Sequence, residues 1–172
     1  INTLAFFYFL TNLPNRRLFY HGCRREIDIA GREGKNMAVC FLDLDEFRKI
    51  NEGLGHTNGD ELLTMVSDRL QQNIRKSDTL ARPGDACGDA DDRQGRPFAR
   101  IGGDEFALIV SSLRKKDDAN IVVNRILNLF VEPFMVSGQE VFISASVGVA
   151  LYPDNGTDVE TLLKNAESAM YK

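Results

Sequence analysis

An α+β fold, with a mixed, largely antiparallel central sheet and flanking helices, is predicted by three observations. Met37–Leu42 is a short, continuously apolar run of the kind that makes a strand buried on both faces. The string ARIGGDEFALIV over 99–110 reads as two strands joined at Gly102-Gly103, so the neighbouring strands must run antiparallel. Segments with helical periodicity alternate with these strands, which places helices against the sheet.

The first helix follows Pro14 and Asn15, where Leu18, Phe19, Cys23, Ile27 and Ala30 recur at helical spacing before the breakers Gly31 and Gly34. The strand Met37–Leu42 then leads into Asp43-Leu44-Asp45, which puts acids at its exit. Asn51 to Asp60 holds three glycines and many hydrogen-bonding side chains and reads as a shaped loop. Leu62, Leu63, Val66, Leu70 and Ile74 give a second helix, with Asp60 where an acid suits the helix N-terminus. Pro83–Pro97 (PGDACGDADDRQGRP) has no periodicity and little to bury, so a flexible insertion is expected over 83–98. Its acids Asp85, Asp89, Asp91 and Asp92 lack the spacing and terminal Glu of a calcium loop.

The two strands of 99–110 follow, and a two-glycine turn between them is expected to use positive φ. Ala119, Val122, Val123, Ile126, Leu127 and Phe130 form a third helix. Val141, Ile143, Ala145, Val147, Val149 and Leu151 alternate as one long strand, stopped by Pro153 and Gly156. Val159, Leu162, Leu163, Ala166, Ala169 and Met170 line the last helix. The order α-β-α-β-β-α-β-α contains the β-α-β-β-α-β succession of a ferredoxin-like, or palm, arrangement.

The 172 residues fit one domain over 1–172, with 1–13 as a leading linker, and 43% apolar against 27% charged residues supplies a real core. A net charge of -4 without a local basic patch argues against nucleic-acid binding. Cys23, Cys40 and Cys87 are odd in number and far apart, so a reducing, cytoplasmic setting is expected. The longest apolar stretch, Leu4–Leu10, is too short to span a bilayer. Residue 1 is Ile, and the apolar start suggests an upstream partner domain, such as a sensor.

Chemistry concentrates in acids from two distant stretches. Asp43, and one of Asp104 and Glu105, lie at ends of strands that can be neighbours, and hard cations such as Mg²⁺ take one or two protein carboxylates plus substrate phosphates. Alternation along a strand leaves open which of Asp104 and Glu105 faces the ion. Gly102 and Gly103 serve a turn and also let a phosphate approach the backbone closely. Asn51 and Asp60 can together read a guanine, the carboxylate accepting from N1 and N2 hydrogens and the amide donating to O6. Taken singly, Asp60 is equally a helix cap, Asn51 a turn residue and His56 a loop histidine.

The string Arg100-Ile101-Gly102-Gly103-Asp104-Glu105-Phe106 is identical to the signature of GGDEF-domain diguanylate cyclases. Residues 10–17 (LTNLPNRR), 41–60 (FLDLDEFRKINEGLGHTNGD), 144–153 (SASVGVALYP) and 169–171 (AMY) resemble the other blocks of that family, so the resemblance covers nearly the whole chain. It implies condensation of two GTP into cyclic di-GMP with release of pyrophosphate, in a transient homodimer that uses two divalent ions, Mg²⁺ or Mn²⁺. Asp43, the Leu44 carbonyl and Asp104 are implied as metal ligands, Asp104 also helping to deprotonate the attacking 3′-hydroxyl. The resemblance further implies Asn51 and Asp60 at guanine, backbone amides near Glu46 and Phe47 with Arg48 at the triphosphate, and Glu105 as a second metal-site or supporting carboxylate.

The sequence also departs from the family pattern. Arg75-Lys76-Ser77-Asp78 matches the inhibitory product site Arg-x-x-Asp in letters, but the insertion separates it from the Gly-Gly turn. Tyr8 stands where relatives usually carry Asp, and Glu167 replaces a common Asp in the last helix. The blocks LTNLPNRRLF, ALYP and NAESAMY resemble versions that precede a cyclic di-GMP phosphodiesterase domain of the EAL type. The alternative function is therefore a catalytically weak or inactive GTP-binding module that controls such a domain.

Overall fold

The central strand of the sheet carries the continuous apolar run Met37–Leu42, because only a strand flanked on both edges and both faces hides all its side chains from water. In the computed structural model, which describes residues 10–11, 13–81 and 98–171, this strand is β1 (Asn36–Leu44). The full order is α1 (Arg16–Glu33), β1, α2 (Phe47–Leu54), α3 (His56–Ala81), β2 (Phe98–Arg100), β3 (Glu105–Leu113), α4 (Asp118–Asn128), β4 (Phe134–Val136), β5 (Gln139–Val141), β6 (Ala145–Tyr152) and α5 (Val159–Met170). The main sheet runs β2-β3-β1-β6 with every neighbouring pair antiparallel, and β4-β5 form a separate two-stranded sheet. The β1-α-β2-β3-α-β6 path in that strand order is the expected ferredoxin-like arrangement.

Alternation along β1 divides the core between the two faces. Cys40, Leu42 and Leu44 pack with Leu62, Leu63, Val66 and Leu70 of α3 and Ile126 of α4. Met37, Val39 and Phe41 pack with Phe19, Cys23 and Ile27 of α1 and with Leu162, Leu163 and Ala166 of α5. Helix α1 starts where the sequence signals: the Asn15 side chain accepts a hydrogen bond from Leu18 N at 3.1 Å. It runs through Gly31, expected as a breaker, and ends at Gly34 in the left-handed region.

Five further expectations are corrected. The stretch 51–60 is not a loop: α2 and α3 are separated by Gly55 alone, and Asp60 lies inside α3 and not at its cap. The missed signal is Phe47, Ile50 and Leu54 at helical spacing, of which Phe47 and Ile50 pack on the core. The long strand 141–151 is two elements, because β5 turns back on β4 before β6 begins. Neither Gly102 nor Gly103 has a positive φ, since the hairpin spends the longer loop Ile101–Asp104 on its reversal. Phe98, placed in the expected insertion, opens β2 and stacks on Phe106 with centroids 5.5 Å apart. Leu13, placed in the expected leading linker, is fully buried in the core, and the carbonyl of Pro14 accepts from Arg100 N at 2.9 Å. Residues 83–97, with the acidic run Asp85–Asp92, and Tyr8 lie outside the described residues.

Helix α5 approaches β6 most closely at Gly148, opposite Phe41 of β1. A Cβ there would fall 1.9 Å from the Ala166 carbonyl oxygen and 2.6 Å from Met170 N, both backbone atoms that cannot swing aside. Gly148→Ala should therefore destabilise the domain by about 3 kcal/mol through displacement of α5, read as a lowered denaturant midpoint. An unchanged midpoint would contradict this packing.

Candidate functional site

The acids meet at one end of the sheet because β1 is paired on both sides there. Asp43 is opposite Glu105 of β3 and Ser146 of β6, and Leu44 N donates to the Asp104 carbonyl at 3.2 Å. Asp104 belongs to the loop and not to β3, so strand alternation does not separate it from Glu105. Both therefore act on the Asp43 carboxyl.

Burial, followed by the charge of Asp104 and a side-chain hydrogen bond to it, pushes the Asp43 carboxyl up to about 7, and Glu105 and Asp45 add to the rise. Asp43 Oδ1 is buried with no hydrogen-bond partner. Glu105 is also raised, first by burial, then by Glu167 of α5 and by Asp104, while Arg16 of α1 opposes the rise. The Glu167 that departs from the family pattern thus faces this site. Among the described residues, no three or more His, Cys, Asp and Glu side chains are arranged to hold a metal ion by themselves. An orphaned carboxylate oxygen crowded by other acids nevertheless fits a hard cation whose coordination a substrate phosphate completes.

Asp45, two residues on, has a different fate. Its carboxylate accepts from Ser144 Oγ and Ser146 Oγ, each at 2.6 Å, and its backbone N–H donates to the Ser144 carbonyl at 2.9 Å. Sequence reasoning missed this clamp, although two serines at i and i+2 leading into a strand were a signal that they share a face. The clamp aims the chain into Glu46, whose φ of 55° sets the start of α2 without a side-chain cap. The first turn of α2 carries Phe47, half-buried against the core, and Arg48, exposed and within 3.4 Å of Glu52. Arg100, also missed, holds the Gly102-Gly103 turn: its guanidinium donates to the Gly102 carbonyl at 3.1 Å and to the Gly103 carbonyl at 3.0 and 2.8 Å.

Asn51 and Asp60 come from the last turn of α2 and the second turn of α3. The Asn51 side chain lies directly over Gly59, where a Cβ would fall 1.7 Å from Asn51 Oδ1, so any side chain at 59 would displace the Asn51 amide from its place beside Asp60. Asn51 Nδ2 lies 3.1 Å from Nδ1 of His56, which begins α3 and is not the expected loop residue. Asp60 is exposed. Arg75 and Asp78 are both in α3, but their side chains lie outside the described residues. No described helix is long and apolar enough to cross a membrane.

This sheet, with acids where β1 meets the β2-β3 loop, defines an α+β domain of the ferredoxin-like, or palm, type. A family model described as "Diguanylate cyclase, GGDEF domain" matches residues 5–86 and 92–172, and the chain belongs to that family. The gap in the match, 87–91, falls within the expected insertion. The bifunctional diguanylate cyclase/cyclic di-GMP phosphodiesterase MucR of Pseudomonas aeruginosa is 38% identical over 94% of this chain and 21% of its own length. The cyclic di-GMP phosphodiesterase NbdA of the same species is 38% identical over 95% of this chain and 18% of its own. The chain thus spans about a fifth of these curated relatives. Among solved structures, the GGDEF domain of Pseudomonas aeruginosa TpbB superposes with a TM-score of 0.80 at 32% identity, covering 96% of this chain and 86% of that one.

The Asp43 carboxyl sets a pH dependence. Its folded value lies above the ordinary 3.8, so between about 4 and 7 the folded chain binds more protons than the unfolded chain. The stability that this group contributes is fully present below about 4 and is lost as pH rises through 7. Asp43→Asn should therefore raise the metal-free melting temperature at pH 8, with the gain vanishing near pH 4. A gain that is absent at pH 8, or that grows on acidification, would show that Asp43 is not crowded in the folded chain.

Proposed function

We propose that the chain is a diguanylate cyclase that condenses two GTP into cyclic di-GMP with release of two pyrophosphates, acting in the cytoplasm as a transient homodimer in which each subunit presents one GTP. The observation that carries this reading is Asp43: a buried, unpartnered carboxylate oxygen, in register with Glu105 and crowded by Asp104, in a chain of this family. Asp43, the Leu44 carbonyl and Asp104 hold Mg²⁺ or Mn²⁺. The bound ions neutralise charge on the phosphates and lower the pKa of the attacking 3′-hydroxyl.

The remaining work belongs to the chain. Asp104 accepts the proton of the 3′-hydroxyl, and Glu105 supports Asp43 from the neighbouring strand. The first turn of α2, at Phe47 and Arg48, meets the triphosphate with its N–H groups, where a helix N-terminus favours anions. Gly102 and Gly103 let phosphate approach the turn that Arg100 holds. Asp60 and Asn51 select guanine, the carboxylate accepting from its N1 and N2 hydrogens and the amide donating to its O6. Arg75 and Asp78 form a product site for cyclic di-GMP. An upstream sensory domain and a downstream EAL phosphodiesterase domain complete the protein, in keeping with the greater length of MucR.

A second reading is favoured by one observation: NbdA, as similar as MucR, is named as a phosphodiesterase alone. In that reading the domain binds GTP without turnover and regulates an attached phosphodiesterase. Incubating the full-length protein with GTP and Mg²⁺ decides between them, because a cyclic dinucleotide product supports the cyclase and binding without product supports the regulator. In the cyclase, Asp104→Ala should lower product formation by at least about 10²–10³-fold while the domain stays folded, and a chelator should abolish it. Product at the unsubstituted rate from folded Asp104→Ala would remove Asp104 from the reaction.

A further inference from the structure

The small β4-β5 sheet takes no part in the acid site, yet it is fastened to α3 at two points. At its base, Arg69 of α3 donates to the carbonyls of Leu129 at 2.9 Å, Glu132 at 2.8 Å and Pro133 at 3.0 Å, and lies 3.6 Å over the ring of Phe134. Phe134 and Val136 are buried in the same core as α3. At its tip, Ser137 and Gly138 form a two-residue turn with φ of 48° and 79°, the twist that a tight hairpin requires. That turn puts Ser137 Oγ 2.7 Å from Asn58 Oδ1 and 3.3 Å from a Glu61 carboxylate oxygen. One hydroxyl has one proton, and the shorter contact, to Asn58, takes it.

Asn58 is the link. Its Nδ2 donates to the carbonyl of Leu54 at 2.9 Å, the last residue of α2, which has no onward helical partner once the chain turns at Gly55. Both polar atoms of the Asn58 amide are therefore used, one on the bend and one on the hairpin. The bend itself is held by Gly55 N to the Asn51 carbonyl and Gly59 N to the Gly55 carbonyl, both 2.9 Å, and it presses Asn51 onto Gly59 beside Asp60.

We propose that the β4-β5 hairpin is a brace for the α2-α3 bend, with Ser137 and Asn58 as positioning residues that fix Asn51 relative to Asp60 and so sharpen the reading of the purine. This rests on the guanine-reading role proposed above for Asn51 and Asp60. The brace acts through hydrogen bonds on an exposed edge, so its effect is a modest factor in affinity and not an on-off control.

Ser137→Gly is the informative substitution, because glycine suits a φ of 48° better than serine and removes only the hydroxyl. In the full-length protein it should leave the melting temperature equal or higher, while amide hydrogen exchange at Gly55 and Gly59 speeds up about three- to tenfold and GTP binding with Mg²⁺ weakens by a similar factor. If product forms, KM should rise with kcat within about twofold of the unsubstituted value. Asn58→Asp, which can accept from Ser137 but cannot donate to the Leu54 carbonyl, should likewise speed exchange at Gly55 and Gly59 and weaken GTP binding, and the melting-temperature criterion applies to Ser137→Gly alone. Unchanged exchange at Gly55 and Gly59 in both variants overturns the brace, and so does faster exchange accompanied by a fall in melting temperature of the whole domain. The exchange measurement needs no nucleotide. If the unsubstituted protein binds no GTP, the guanine reading fails, and exchange alone judges the brace.

Discussion

The pairing of β1 on both edges is the constraint on which the rest of this domain depends. Because β3 and β6 run antiparallel to β1 in fixed register, Asp43 can stand only between Glu105 and Ser146. A slip of one residue would turn Val39 and Phe41 toward α3 and expose them to the wrong core, so hydrophobic burial on two faces locks the register. The position of the carboxylates is in this sense a by-product of packing far from them.

Crowding acids at the end of a packed sheet costs stability, and the structure distributes that cost unevenly. Asp45 is satisfied by two serine hydroxyls and serves the geometry of the chain. Asp43 keeps an oxygen without a partner, and burial and its neighbours hold it toward the protonated form. A group left unsatisfied where satisfaction was available two residues away is the expected mark of a site that a ligand completes. Glu167 strengthens the same field from α5, whose close approach to β6 is set by the absence of a side chain at Gly148.

The α2-α3 bend is supported differently. No strand carries Asn51 or Asp60. They are held by two helices meeting at one glycine, and the restraint comes from a side-chain amide at the junction and from a hairpin that reaches back across about 79 positions of sequence. The acids thus rest on paired strands, whereas Asn51 and Asp60 rest on a helical bend tied by side-chain hydrogen bonds.

The sequence by itself determined the α+β class, the buried central strand, the α1 cap at Asn15 and the acids at 43, 104 and 105, because each is written in local periodicity or in a short string of residue types. It also carried the family, since RIGGDEF and the ordered blocks around it are contiguous in the chain. Local patterns failed where two readings shared the same letters. Three glycines between 51 and 60 hid two helices, the first of which packs Phe47 and Ile50 on a distant core, and alternation over 141–151 hid the break between β5, which pairs with β4, and β6, which pairs with β1. Only the tertiary structure decided that Asp104 and Glu105 both act on Asp43, that Arg100, Ser144 and Ser146 hold the surrounding turns, and that Leu13 belongs to the core. Those facts depend on register and contacts between residues far apart in sequence, and no local periodicity encodes such contacts.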